Sequence, residues 1–117
     1  WTRKPPPGAP AAAGYATIVN GGPGDDRLLG GTSPIATRVE VHRMSMAGGI
    51  MVMRPEPGGL AIPAGSSVSL APGGLHLMLI GPKTYPPVGE TVPVILEFEH
   101  AGKITVPLQV VAQGASA

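Results

Sequence analysis

The sequence predicts an all-β domain, a sandwich or Greek-key barrel. Eighteen glycines and fifteen prolines in 117 residues break the chain too often for long helices but suit a protein with many turns. The runs between those breaks are short, and they either alternate in polarity or are rich in β-branched residues. Turn signals separate them at regular intervals, as they do in antiparallel sandwiches and barrels.

Residues 1–12, through Pro5, Pro6 and Pro7, read as an extended arm, because proline fixes φ and removes a backbone donor. The domain proper is expected over 13–112, with 113–117 as a short flexible C-terminus. Tyr15 to Asn20 is a β-branched strand that stops at the turn cluster Gly21-Gly22-Pro23-Gly24-Asp25-Asp26. Leu28 and Leu29 begin a short strand that Gly30-Gly31 is expected to interrupt. From Thr37 to Met44, Val39 and Val41 fall on one face and Arg38, Glu40, His42 and Met44 on the other. A period of two means a strand, with the valines inward. Gly48-Gly49 turns the chain into Ile50-Met51-Val52-Met53, and the segment 54–59 is a Pro- and Gly-rich loop. Further strands are expected over 60–62, 67–70, 75–80, 91–98 and 104–111, separated by Pro63-Ala64-Gly65, Pro72-Gly73-Gly74, Gly81-Pro82 and Ala101-Gly102. Pro93 and Pro107 inside the last two mark edge positions or bulges.

A chain of this length is one domain, large enough for a core without disulfides or a structural metal. Net charge is +1, only 13% of residues are charged, and Arg3-Lys4 is the one basic cluster. With few aromatics as well, nucleic-acid binding is not expected. The longest apolar run is far short of a membrane span, so membrane insertion is not expected either. The chain starts at Trp1 and not at an initiator methionine, which reads as a trimmed form without its signal peptide. The serines have no nucleophile motif around them, cysteine is missing, and Gly21 to Gly24 lacks the Gly-Lys-Ser/Thr of a phosphate loop; an enzyme is not expected. Asp25-Asp26 reads as turn chemistry and not as a calcium site.

The chemistry lies elsewhere. All five methionines (Met44, Met46, Met51, Met53, Met78) fall between His42 and Met78 in a chain with no cysteine. Thioether and imidazole are neutral donors, and soft sulfur selects Cu(I) over zinc, magnesium or calcium. In the strand 75–80 the leucines occupy one face, which leaves His76 and Met78 on the other, about 6.5 to 7 Å apart along the chain. His42 and Met53 flank the Gly48-Gly49 turn, so a hairpin brings them near each other. Four donors, His42, Met53, His76 and Met78, would then form an N2S2 site at one end of a barrel, near the surface. A lone methionine is commonly core filler, and Met51 reads that way. Met44 and Met46 share the face of His42 and read either way. His100, beside Ala101-Gly102, reads as a solvated residue.

These residues resemble the signature of the PCu(A)C family of periplasmic copper chaperones: a histidine, ten residues, a methionine, about twenty-one residues, then His-x-Met. Here residues 43–52 separate His42 from Met53, and 54–75 separate Met53 from His76. The one extra residue falls in a loop-rich stretch. Supporting matches include Val39-Glu40-Val41-His42-Arg43-Met44, Met53-Arg54-Pro55, Ile62-Pro63-Ala64-Gly65 and Pro72-Gly73-Gly74-Leu75-His76-Leu77-Met78. Gly81-Pro82-Lys83 departs from the family's Gly-Leu-Lys in a turn. Residues 113–117 carry no histidine- and methionine-rich tail, so one copper site is expected.

The resemblance implies a cupredoxin-like Greek-key β-barrel that binds one Cu(I) through His42, Met53, His76 and Met78. It further implies an exported, monomeric carrier in the bacterial periplasm. Such a carrier delivers copper to the CuA centre of cytochrome c oxidase subunit II alongside a Sco-type thiol protein. The missing cysteine thiolate argues against blue-copper electron transfer. Two other functions fit the same residues: copper sequestration for tolerance, and a metal-free β-sandwich interaction module in which the methionines are core.

Overall fold

Burial alternates residue by residue along most of the strands, and that alternation fixes which way each one faces. The computed structural model describes residues 1–6, 8–55, 59–72 and 74–112, and for 45–47 and 50–55 the backbone only. Residues 113–117, expected as a flexible C-terminus, lie outside the described residues. The described chain forms β1 (Thr2–Arg3), β2 (Ala11–Gly14), β3 (Ala16–Val19), β4 (Asp26–Thr32), β5 (Arg38–Ala47), β6 (Ile50–Pro55), β7 (Leu60–Ile62), β8 (Ser67–Leu70), β9 (Leu75–Ile80), β10 (Thr91–Phe98) and β11 (Gly102–Val111). No helix interrupts them among the described residues.

Nine strands form one sheet in the order β6-β5-β9-β2-β1-β11-β10-β4-β7. The pairing of Gly31 in β4 with Val39 in β5 closes seven of them, β5 round to β4, into a barrel. Strands β6 and β7 extend the wall beyond the ring, and β3 pairs separately with β8. Inward positions fill the barrel: Val39 and Val41 of β5, Leu77 and Leu79 of β9, Val92, Val94 and Leu96 of β10, and Leu108 and Val110 of β11 are buried together. The architecture is the all-β barrel expected from the sequence.

Arg54 and Pro55, expected in the loop 54–59, instead end β6, because they pair with Arg43 and His42 of β5; three further details also differ from the expected elements, each for a physical reason. The stretch expected as an extended arm, 1–12, instead supplies β1 and the start of β2, and between them the Ala9 N–H turns back to the Pro6 carbonyl; Thr2 pairs in parallel with Val110 and antiparallel with Gly14. Thr2 is fully buried, and its hydroxyl donates to the Ala13 carbonyl at 2.7 Å while lying 2.8 Å from the Tyr85 hydroxyl. Gly30-Gly31 does not interrupt β4, which runs through both. At Gly31 a Cβ would stand 2.5 Å from the Ile95 carbonyl oxygen, so the glycine is what allows β4 to lie against β10 while it also reaches β5. Strand β5 continues past Met44 to Ala47, because its far half pairs with β6 beyond Leu75, the first residue of β9. Pro93 and Pro107 face each other across β10 and β11, outside the stretches that pair with β4 and β1, so neither takes a donor from a ladder.

Candidate metal centre

Strand β9 pairs with β5 so that His76 stands directly opposite His42 and Met78 directly opposite Glu40. Because Leu77, Leu79, Val39 and Val41 point into the barrel, pleating sends this block of four to the outer face. The two imidazole centroids are 6.0 Å apart with planes inclined at 57°. Ring nitrogens bind a metal at about 2 Å, so rings this near need little movement to share an ion. Along β5, Met44 is the next residue on the same face, and its backbone N–H donates to Gly74, just before β9 begins. Met44, His76 and Met78 line one open cavity of about 480 Å³, with Tyr15 and Arg3 among its other walls. This is the point where β9 begins and the β5–β6 hairpin runs on past it.

Depth in the site is graded. His76 is 4% exposed and Met78 8%, yet Met78 is not part of the aliphatic core cluster, and it faces the cavity. The His42 side chain is 13% exposed. Beyond His76, the Tyr15 ring lies 6.5 Å away and Trp1 stacks at a tilt 4.5 Å from Tyr15. The Arg3 guanidinium sits over both outer rings, at 5.5 Å from Trp1 and 5.8 Å from Tyr15, a cation–π arrangement that roofs the cavity.

Hydrogen bonds orient both histidines. The Nδ1–H of His76 donates to the Gly74 carbonyl at 3.2 Å. Nε2 of His42 lies 2.9 Å from a carboxylate oxygen of Glu40, whose other oxygen accepts from Arg38 Nε at 2.7 Å. His42 first and Arg38 second hold the Glu40 carboxyl below its usual range. Burial lowers the His76 pKa; the Gly74 carbonyl works the other way, and the neighbouring His42 adds a smaller lowering. A ring held neutral keeps the lone pair that a metal needs.

Of the four donors expected from the sequence, His42, His76 and Met78 are brought together on one face. Met53 has its backbone in β6 directly opposite Met44, one pleat from the position opposite His42; its side chain lies outside the described residues. Met51 is opposite Met46 in the same ladder, and those side chains are likewise outside. Among the described residues no group of three or more His, Cys, Asp or Glu could hold a metal. The candidate donors that do share this face are two imidazoles and the Met78 thioether, ligand types that suit soft or borderline metal ions. His100 is exposed and remote; its backbone N–H, with those of Arg27 and Ala101, donates to Asp26, and Asp25 accepts from Ala64. The acidic pair is thus turn chemistry. Sequence reasoning did not single out Glu40, Tyr15 or Arg3. For Glu40 the signal was present, since it alternates with His42 on one face; the other two reach the site only through the fold.

Comparison with known proteins gives the family and the fold. Residues 1–110 match the family model described as "Putative lipoprotein LpqE-like". A protein of Leifsonia xyli subsp. xyli, "Putative lipoprotein Lxx21020", is 34% identical over 103 residues, which is 88% of this chain; the chain spans 62% of that relative's length. The solved copper-bound PCuAC domain from PmoF2 is 32% identical with a TM-score of 0.81, covering 96% of this chain and 87% of that one. The solution structure of Cu(I)-DR1885 from Deinococcus radiodurans is 30% identical with a TM-score of 0.67, covering 96% and 73%.

Proposed function

We propose, from the premise that this chain belongs to the LpqE-like family and is a PCuAC domain, that it is a copper chaperone holding one Cu(I) on His42, Met53, His76 and Met78. The observation that carries the reading is the cross-strand pair His42–His76, with Met78 on the same outer face and Met44 beside it in an open cavity. Four neutral donors balance none of the charge of Cu(I), so the ion is held by softness and geometry and is released one ligand at a time to a partner with better donors. Met44, on the cavity wall, supplies a further thioether during that exchange. The ion's positive charge is offset at one remove by Glu40, which touches His42.

The acceptor we assign is the CuA centre of cytochrome c oxidase subunit II, filled together with a Sco-type thiol protein. The work is done outside the cytoplasmic membrane, in the periplasm, by a monomeric carrier that is not an enzyme. The lipoprotein names of the relatives agree with export. Titration with Cu(I) under reducing conditions against a chromophoric chelator should show uptake of one equivalent, and X-ray absorption of the loaded protein should show nitrogen and sulfur neighbours. Mixing that protein with an oxidase CuA domain should move the copper to the acceptor. Retention by the chaperone would point to sequestration for tolerance. Absence of uptake would leave only an interaction module.

A further inference from the structure

We infer that Glu40, anchored by Arg38, is a positioning residue that decides which nitrogen of His42 meets the copper, and that this nitrogen is Nδ1. The inference rests on the copper reading above. Three residues at alternate positions on one strand, Arg38, Glu40 and His42, share a face about 6.5 to 7 Å apart in sequence. The carboxylate between them is held from both sides: Oε2 by Arg38 Nε at 2.7 Å, Oε1 by His42 Nε2 at 2.9 Å. An ionised carboxylate only accepts hydrogen bonds. Nε2 must then carry the proton, and in the neutral ring the lone pair falls on Nδ1.

The opposite histidine is oriented the other way. His76 gives its Nδ1–H to the Gly74 carbonyl, so its lone pair is on Nε2. Copper between the rings would meet unlike nitrogens, Nδ1 from β5 and Nε2 from β9. Nδ1 is bonded directly to the carbon that joins the ring to the strand, so an ion there lies close to the sheet. His76 and Met78, on the strand opposite, are both buried. For Nε2 of His42 to bind instead, the ring would have to leave Glu40 and break a charge-assisted bond. A carboxylate behind a metal-binding imidazole also makes it more basic, and such partners are typically worth about 10- to 100-fold in metal affinity.

The test uses the full chain, labelled with 15N, with long-range proton–nitrogen correlation of the imidazoles before and after loading with Cu(I). The metal-free protein should show His42 protonated at Nε2, and loading should move the Nδ1 resonance. Glu40→Ala should lose the tautomer preference and weaken Cu(I) binding by about 10- to 100-fold. Glu40→Gln keeps an accepting oxygen at the same reach and should retain most of the affinity and the tautomer. Coordination of His42 through Nε2 in the loaded wild-type protein would overturn the inference, as would Glu40→Ala binding Cu(I) as tightly as wild type. Failure of the wild-type protein to take up Cu(I) at all would instead remove the copper reading on which the inference stands.

Discussion

Met78 and His76 are both buried on the same face of β9, and substitutions separate their roles. Leucine fills nearly the volume of methionine, so Met78→Leu and Met53→Leu should each cost less than about 1.5 kcal/mol in folding. Cu(I) affinity should fall by about tenfold or more in each, read by chelator competition. An unchanged affinity in both would move the sulfur ligands to Met44, Met46 or Met51. For His76 the sign of the pH effect is set by its lowered pKa. In the unfolded chain the ring titrates near 6.5, so above that value both states are neutral and the stability is fully present. As pH falls below it the unfolded chain takes the proton first, and stability is lost until the folded ring also charges. Urea midpoints of the metal-free protein should therefore drop between about pH 7.5 and 5, and less so in His76→Gln. Cu(I) affinity should weaken over the same interval, because protons compete for the same nitrogen.

At the scale of elements, β4 is where local pattern and tertiary demand diverge. Gly30 and Gly31 read as a break because glycine is a poor strand former, yet Gly31 is needed inside the strand by its neighbour's backbone. Gly31→Ala should destabilise the protein by about 1 to 3 kcal/mol, as overpacking against rigid backbone does. A urea midpoint equal to wild type would mean that β4 and β10 separate without cost. Strands whose faces differ in polarity, such as β5, β9 and β10, were legible from alternation alone. The pairing partners were not: nothing between Arg38 and Ala47 states that one half of β5 meets β9 and the other half β6. That split decides the site, because it sets Met53 opposite Met44 and not opposite His42. The four proposed donors are readable as residue types at a given spacing. Glu40 was readable only as a face-mate, because its bond to His42 depends on side-chain placement that spacing does not encode.

Across the whole molecule, the barrel is completed by its shortest strand. β1 has two residues, yet it joins β2 to β11, and Thr2 is sealed between them. The triple-proline stretch that follows conceals this role in the sequence. Thr2→Val keeps the shape but removes the hydroxyl, which leaves the Ala13 carbonyl and Tyr85 hydroxyl without that partner; a loss of about 1 to 3 kcal/mol is expected from thermal or urea unfolding. Arg3, next to Thr2, is part of the wall of the cavity that holds His76 and Met78, so on the proposed copper reading the same variant should also loosen that wall and quicken copper release to a chelator. The direct opposition of His42 and His76 carries one more consequence. Moving β9 along β5 by a single residue would turn Leu75, Leu77 and Leu79 to water and drive a nitrogen and a sulfur into the oily interior. Misaligned molecules are thus discarded by hydrophobicity alone, and every copy that survives folding already has its pocket assembled before any copper arrives.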